Sequence, residues 1–91
     1  MLDTEVRVTN ALGLHARAAA RLVRLATTFS SSVRLRREDS EVEADAKSIL
    51  SLLYIAAAQG VRLTLSVDGE DEVEATKQIV SLFNNGFGED R

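Results

Sequence analysis

The sequence predicts an α+β domain, a two-layer open-faced sandwich in which three helices cover one face of a four-stranded antiparallel sheet. Its 91 residues suffice for one domain with a modest core, and we expect residues 1–91 to form it. Four segments alternate polar and apolar residues, which is typical of strands with one buried and one solvated face. Three other segments carry apolar residues at helical spacing, and the order along the chain is β-α-β-β-α-β-α.

The N-terminal part of the chain predicts a strand followed by a helix. Residues 5–8 alternate as a strand does, and the glycine-containing residues 10–13 end it. From Ala16 onward, apolar residues recur every three or four positions as far as Phe29, while three arginines share another face. This spacing predicts the first helix, and the serines at residues 30–32 end it.

The middle of the chain predicts a hairpin. Residues 33–36 alternate apolar and basic side chains and form the second strand. The polar residues 38–40 are typical of a turn, and residues 41–44 form a short third strand.

The C-terminal part predicts a helix, a strand and a last helix. Residues 48–58 are mostly apolar and form the second helix, which Gly60 closes. Residues 61–67 alternate most regularly and form the fourth strand. The last helix spans residues 70–84, begins with an acidic turn that suits the helix dipole, and ends at Gly86.

Composition excludes several classes of protein. The chain contains no cysteine, which removes disulfides, thiolate metal sites and cysteine nucleophiles. No apolar run approaches the roughly 20 residues of a membrane helix. The N-terminus carries acids where a signal peptide has basic residues, so we expect a soluble, cytoplasmic protein without membrane insertion.

The formal net charge of −3 is distributed unevenly. Residues 1–37 carry a net charge of +5, and residues 38–91 carry −8. A basic patch on an acidic body suits a nucleic acid, a phosphorylated group or an acidic protein surface as partner. Aromatic residues make up only 4% of the chain, which leaves little for bases to stack on and argues against nucleic acid.

The candidate for chemistry is the single histidine, His15. It lies just before the first predicted helix, where unpaired backbone N–H groups and the helix dipole favour an anion. The guanidinium of Arg17, two residues later, adds a positive charge that can donate two parallel hydrogen bonds to an anion. Gly13 permits a tight turn. A neutral imidazole nitrogen held there could accept a phosphoryl group. The alternative is a helix-boundary histidine without a chemical role, and one histidine without cysteines cannot supply a zinc site.

Two short segments of the sequence resemble those of a known family. Gly13-Leu14-His15-Ala16-Arg17, preceded by Asn10, resembles the active-site segment of the histidine-containing phosphocarrier (HPr) proteins of the bacterial phosphotransferase system. Lys47-Ser48-Ile49 is similar to their regulatory serine segment, and its distance from the first segment also matches. The resemblance covers essentially the whole chain and implies the sheet order 1-4-2-3.

The resemblance implies a phosphoryl relay that needs no cofactor and no metal. Enzyme I, charged by phosphoenolpyruvate, would phosphorylate His15 at Nδ1, and the carrier would pass the group to a sugar-specific IIA protein or domain. Arg17 would be the supporting cation, and the backbone of Ala16, Arg17 and Ala18 would bind the phosphate. Ser48 would be the target of a regulatory kinase/phosphorylase. Such a protein is a carrier in a transferase relay rather than a turnover enzyme.

The second predicted helix is apolar on two sides. We assign one stripe to the core: Leu52, Ile55 and Ala56. A second stripe corresponds to the surface that docks onto Enzyme I, IIA and the serine kinase in the family: Ile49, Leu50 and Leu53. Its charged rim would consist of Arg17, Arg21 and Arg24, and transient docking would suit a monomer. The alternatives are that the whole helix is buried and that Arg21 and Arg24 only form a solvated face.

Two positions depart from the family pattern. Ala18 stands where proline is common, which adds one free N–H near the proposed phosphate site. Asp45 stands where asparagine is frequent, and it places a carboxylate close to Ser48. The second change makes regulatory phosphorylation of Ser48 less favourable.

Three alternatives to a sugar-branch carrier stay open. One is the nitrogen-branch phosphocarrier paralogue, although Lys47-Ser48-Ile49 favours the serine-regulated form. Another is a non-catalytic regulatory binding domain of the same fold. The third is a nucleic-acid-binding domain that uses the basic N-terminal half.

Overall fold

The computed structural model describes residues 1–55 and 57–89, and it contains the predicted order of strands and helices. The strands are β1 (Leu2–Arg7), β2 (Ser32–Arg37), β3 (Glu43–Asp45) and β4 (Arg62–Asp68). The helices are α1 (Ala16–Ala26), α2 (Ile49–Ile55) and α3 (Glu72–Asn84), followed by a 3₁₀ turn at Gly86–Gly88.

The sheet has the predicted antiparallel arrangement. Its order is β1-β4-β2-β3, so β4 lies between β1 and β2 and all three pairings are antiparallel. On β4, Leu63, Leu65 and Val67 are buried, while the residues between them face solvent at least in part. This alternation places one face of the sheet under the helices, as predicted.

The buried apolar residues form one cluster between the sheet and the helices. Leu22 of α1, Leu52 of α2 and Ile79 of α3 are fully buried in it. Phe83 and Phe87 meet edge to face, with ring centroids 4.9 Å apart. Because Phe87 follows α3, this contact folds the chain after the last helix back onto the core.

The end of α1 differs from the prediction. The helix ends at Ala26, so Phe29 lies in the following turn and not in the helix. The hydroxyls of Thr27 and Thr28 donate to the carbonyls one helical turn earlier, at 3.1 and 2.6 Å. Side-chain bonds of this kind compete with helix continuation, which accounts for the earlier end.

The prediction that α2 extends to Ala58 is wrong. The described helix is Ile49–Ile55, Ala57 and Ala58 are not helical, and Ala56 lies outside the described residues. The Ala57 carbonyl accepts a hydrogen bond from the Leu14 N–H at 2.8 Å. Alanine favours the helical conformation, but this hydrogen bond to the segment before α1 holds Ala57 in a non-helical conformation.

Two further boundaries also shift. β3 is Glu43–Asp45 instead of residues 41–44, because residues 40 and 41 belong to the turn. α3 begins at Glu72 instead of residue 70, and the Asp71 carboxylate accepts the N–H groups of Ser30 and Ser31 at 2.9 and 3.0 Å. The Ser31 hydroxyl also donates to this carboxylate, and this bond, together with the backbone N–H bonds, lowers the pKa of Asp71 to about 2.

Candidate functional site

His15 is the N-cap residue of α1, as its position in the sequence predicts. Its Nδ1 accepts a long hydrogen bond from the backbone N–H of Arg17, at 3.4 Å. The side chain is 27% exposed, so one part of the ring is open to a partner. Because Nδ1 accepts the Arg17 N–H, its lone pair points at the N-terminal end of α1, where an anion would be stabilised.

The loop before His15 is held by close backbone contacts. The Gly13 N–H donates to the Asn10 carbonyl at 3.1 Å, and Nδ2 of the buried Asn10 donates to the Gly13 carbonyl at 2.7 Å. Gly13 has a φ of +70°, and a Cβ there would lie 2.6 Å from the Ala57 carbonyl oxygen. Only glycine fits this turn, which places His15 at the start of α1.

Glu89 is a site residue that sequence analysis missed. Its Oε2 lies 2.6 Å from His15 Nε2, and its Oε1 accepts a hydrogen bond from Asn10 Nδ2 at 2.9 Å. The side chain is only 8% exposed. Burial by itself raises the pKa of Glu89, but hydrogen bonds from Asn10 and His15 and the nearby Arg17 charge lower it below its usual value. Glu89 is therefore an ionised acceptor at the ring of His15.

A tight turn after α3 brings Glu89 to His15. Gly86, Phe87 and Gly88 all have positive φ, at 64°, 60° and 73°. The Phe87 side chain is buried, and its carbonyl accepts a hydrogen bond from the guanidinium of Arg21. The two glycines around an apolar residue are the sequence signal that marks this turn.

The structure brings the predicted phosphate-binding residues together at the start of α1. Ala16, Arg17 and Ala18 are its first three residues, whose N–H groups have no carbonyl in a preceding helical turn. The Ala18 side chain is fully buried in the core, whereas Arg17 is exposed. A surface depression between the start of α1 and the C-terminal turn is lined by Leu12, Arg17, Arg21, Gly88 and Glu89.

The three predicted rim arginines have different surroundings. Arg17 and Arg24 are exposed on α1. Arg21 is half-buried, and it binds the Phe87 carbonyl on the C-terminal turn. The structure therefore gives Arg21 a structural contact as well as a position near His15.

Ser48 directly precedes α2. Its hydroxyl oxygen accepts the Ser51 N–H at 3.3 Å, and its own N–H donates to the Asp45 carbonyl at 3.0 Å. The Asp45 carboxylate accepts the Lys47 N–H at 3.0 Å, so this carboxylate is held close to Ser48. Ser48 is half-buried and acts as a local helix cap.

One side of α2 is an exposed apolar surface, as the second stripe predicts. Leu50 is 80% exposed, and Ile49 and Leu53 are 41% and 38% exposed. Tyr54 and Leu12 are also largely exposed, and the sequence analysis did not assign them to this surface. We call the exposed side chains the α2 apolar patch: Ile49, Leu50, Leu53 and Tyr54. Leu52 and Ile55 are buried as predicted, and Ala56 is outside the described residues.

Residues 1–55 and 57–89 contain neither a metal-binding cluster nor a membrane-spanning helix. This part of the chain has no group of three or more His, Cys, Asp or Glu side chains that could hold a metal ion. Its helices also include none that is long and apolar enough to cross a membrane.

Comparison with known proteins places this arrangement in a family. A family model described as the PTS HPr component phosphorylation site matches residues 2–85. The phosphocarrier protein HPr of Xylella fastidiosa (strain Temecula1 / ATCC 700964) is 46% identical over 90 residues, 99% of each chain. This chain belongs to the HPr family of phosphocarrier proteins. The predicted resemblance to the HPr family is thereby confirmed.

Two further relatives extend this result. The phosphocarrier protein NPr of Proteus mirabilis (strain HI4320) is 42% identical over 85 residues, 93% of each chain. The crystal structure of HPr-C-His from Thermoanaerobacter tengcongensis matches with a TM-score of 0.91 and 36% identity, and all of both chains is covered. The HPr fold is therefore confirmed, and both HPr and NPr phosphocarriers are among the relatives.

Proposed function

We propose that this chain carries a phosphoryl group on His15 from phosphorylated Enzyme I to IIA proteins or domains for sugar uptake. The observation that carries the proposal is the position of His15 Nδ1, which faces the N-terminus of α1. The family supports phosphotransfer in general, and this geometry supports His15 as the acceptor. We propose that residues 1–91 act as a single phosphocarrier domain.

The site offers positive charge where the phosphoryl oxygens would lie. The N–H groups of Ala16, Arg17 and Ala18 belong to the first turn of α1, whose dipole favours an anion. The exposed Arg17 guanidinium adds a forked donor that suits phosphate oxygens. These groups would stabilise the charge during transfer, so the chemistry needs no cofactor or metal ion.

The α2 apolar patch supports transient docking of the relay partners. A small exposed apolar surface with a polar rim is typical of such interfaces. Arg17 and Arg24 are exposed on α1 and would meet acidic groups of Enzyme I and IIA. We propose that the carrier acts as a cytoplasmic monomer, because one surface must serve successive partners.

We propose that a kinase/phosphorylase regulates the carrier through Ser48. A phosphate on Ser48 would add two negative charges beside Ile49 and Leu50 of the α2 apolar patch. Burying these charges against a partner costs desolvation, so docking would weaken. The nearby Asp45 carboxylate opposes the modification by like-charge repulsion.

The relay assay tests the main proposal directly. The protein is incubated with phosphoenolpyruvate, Enzyme I and a IIA protein, and phosphate on each protein is followed by intact mass. We expect one acid-labile, base-stable phosphate on this chain and its onward transfer to IIA. No phosphate on the wild-type protein would contradict the proposal and favour a non-catalytic binding domain of the same fold.

A second candidate is the nitrogen-branch carrier. The NPr of Proteus mirabilis is 42% identical to this chain, close to the 46% of the Xylella fastidiosa HPr. The two branches separate by which form of Enzyme I, sugar or nitrogen type, charges the chain faster. A higher kcat/KM with the sugar-type enzyme supports our proposal, and the reverse result supports the nitrogen branch.

A further inference from the structure

The C-terminal turn places the Glu89 carboxylate on the side of the His15 ring that faces away from the start of α1. Its Oε2 lies 2.6 Å from Nε2. Its Oε1 is held by Asn10 Nδ2 at 2.9 Å, and Asn10 itself is buried. The carboxylate is therefore fixed by two side chains and lies within hydrogen-bonding distance of the ring.

The two ring nitrogens of His15 have partners of opposite kind. The Arg17 N–H can only donate, so Nδ1 must accept. The ionised Glu89 carboxylate can only accept, so Nε2 must donate. Both contacts are satisfied only when the neutral ring carries its hydrogen on Nε2 and its lone pair on Nδ1.

We propose that Glu89 is a positioning residue that keeps the hydrogen on Nε2 and so holds Nδ1 ready to accept the phosphoryl group. The inference rests on the proposed function. In the transfer, the Nδ1 lone pair forms the P–N bond while the bond from phosphorus to the donor protein breaks. The electron pair of the broken bond leaves with the donor, and the proton stays on Nε2. The ring gains a positive charge, which faces the Glu89 carboxylate.

The Arg17 contact is compatible with this step. Its N–H lies 3.4 Å from Nδ1, longer than the usual 2.9–3.0 Å of such bonds, so it is weak and easily exchanged. When Nδ1 forms the P–N bond, the same N–H can donate to a phosphoryl oxygen. The strong contact of the ring is thus the one at Nε2, which phosphorylation leaves intact.

Glu89 is held by a turn that does not depend on its carboxylate. Phe87 packs on Phe83, and the Phe87 carbonyl binds Arg21. The family model matches residues 2–85, so this turn and Glu89 lie beyond the matched region. Removing the carboxylate should therefore leave the turn folded. A variant of Glu89 then tests whether the carboxylate orients the His15 ring, separately from whether it holds the C-terminal turn in place.

The test measures the tautomer of His15 without any phosphotransfer. The ¹⁵N chemical shifts of the ring are recorded for wild type, Glu89→Gln and Glu89→Ala at an alkaline pH, where the ring is neutral. We expect wild type to show only the Nε2–H form and both variants to show a mixture with Nδ1–H. The glutamine amide both donates and accepts, so it cannot select one tautomer. Glu41→Gln, at an exposed turn position, is the matched control and should match wild type.

The second readout is the rate of phosphorylation by phosphorylated Enzyme I. We expect it to fall about tenfold in both Glu89 variants, the effect of losing one charged hydrogen bond. An unchanged tautomer in Glu89→Ala, with or without a slower rate, would overturn the proposal and leave Glu89 as a tail tether. If Glu89→Ala fails to fold, the near-isosteric Glu89→Gln decides. Absence of phosphate on wild type would contradict the proposed function alone, since the tautomer measurement does not depend on it.

Discussion

The segments that precede α1 and α2 are built in different ways. The His15 segment depends on residues far away in the chain, namely Ala57 and Glu89. Ser48 itself is held by near neighbours, Asp45 and Ser51, while the preceding Lys47 binds the Phe29 carbonyl at 2.8 Å. A local cap can be recognised from a few consecutive residues, whereas the histidine site exists only when the whole domain is folded. The first segment suits chemistry that needs fixed geometry, and the second suits a modification that must remain reachable.

The largest expected effect is that of His15→Ala. Phosphorylation should be abolished, because the chain has no other imidazole. The protein should stay folded but lose about 1–3 kcal/mol in unfolding free energy, because the variant loses the weak cap bond to Arg17 and the 2.6 Å contact with the largely buried Glu89 carboxylate. Intact mass and chemical denaturation measure the two effects. Phosphate on the variant at the wild-type rate would remove His15 from the proposed function.

Gly13→Ala tests how strongly the histidine segment depends on the distant Ala57. A Cβ would lie 2.6 Å from the Ala57 carbonyl at a φ of +70°, so we expect a loss of about 3 kcal/mol in unfolding free energy. Gly60→Ala is the matched control, with a φ of +90° and open space around the new Cβ. It should cost only about 1 kcal/mol. Equal losses in denaturant titrations would show that backbone strain alone matters and that the Ala57 contact contributes nothing.

Arg17→Ala should slow phosphotransfer more than it destabilises the fold. Loss of a charge-assisted contact to phosphate costs about 1.5–3 kcal/mol, or roughly 10–150-fold in rate. The side chain is exposed, so thermal stability should change little. Arg36→Ala removes another exposed arginine, on β2, and serves as the control. If single-turnover kinetics show equal rates for Arg17→Ala and Arg36→Ala, only overall charge is involved.

The smallest expected effect is that of Ser48→Asp. A negative charge beside the α2 apolar patch should slow charging by Enzyme I about fivefold, the effect of roughly 1 kcal/mol. Asparagine has nearly the same shape as aspartate but no charge, so Ser48→Asn should be charged by Enzyme I at close to the wild-type rate. Ser48→Asp and Ser48→Asn reacting at the same rate would leave Ser48 as a plain helix cap.

The same contrast explains what the sequence could predict. The strands and helices follow from local alternation and spacing, and the order β1-β4-β2-β3 agrees with the family resemblance. The end of α2 could not be predicted, because the Ala57 carbonyl binds the N–H of Leu14, a residue distant in the sequence, instead of continuing the helix. Glu89 was missed for a related reason, since its role depends on the turn at Gly86–Gly88 that returns the chain to His15.

The proposed function depends above all on His15 Nδ1, at the start of α1, as the atom that accepts the phosphoryl group. The most direct test is NMR of the ¹⁵N-labelled protein after charging by phosphoenolpyruvate and Enzyme I, with phosphorus–nitrogen coupling assigned to a single ring atom. We predict coupling to Nδ1 of His15, with the proton still on Nε2 beside Glu89. Coupling to Nε2, or phosphate on any other residue, would contradict the account.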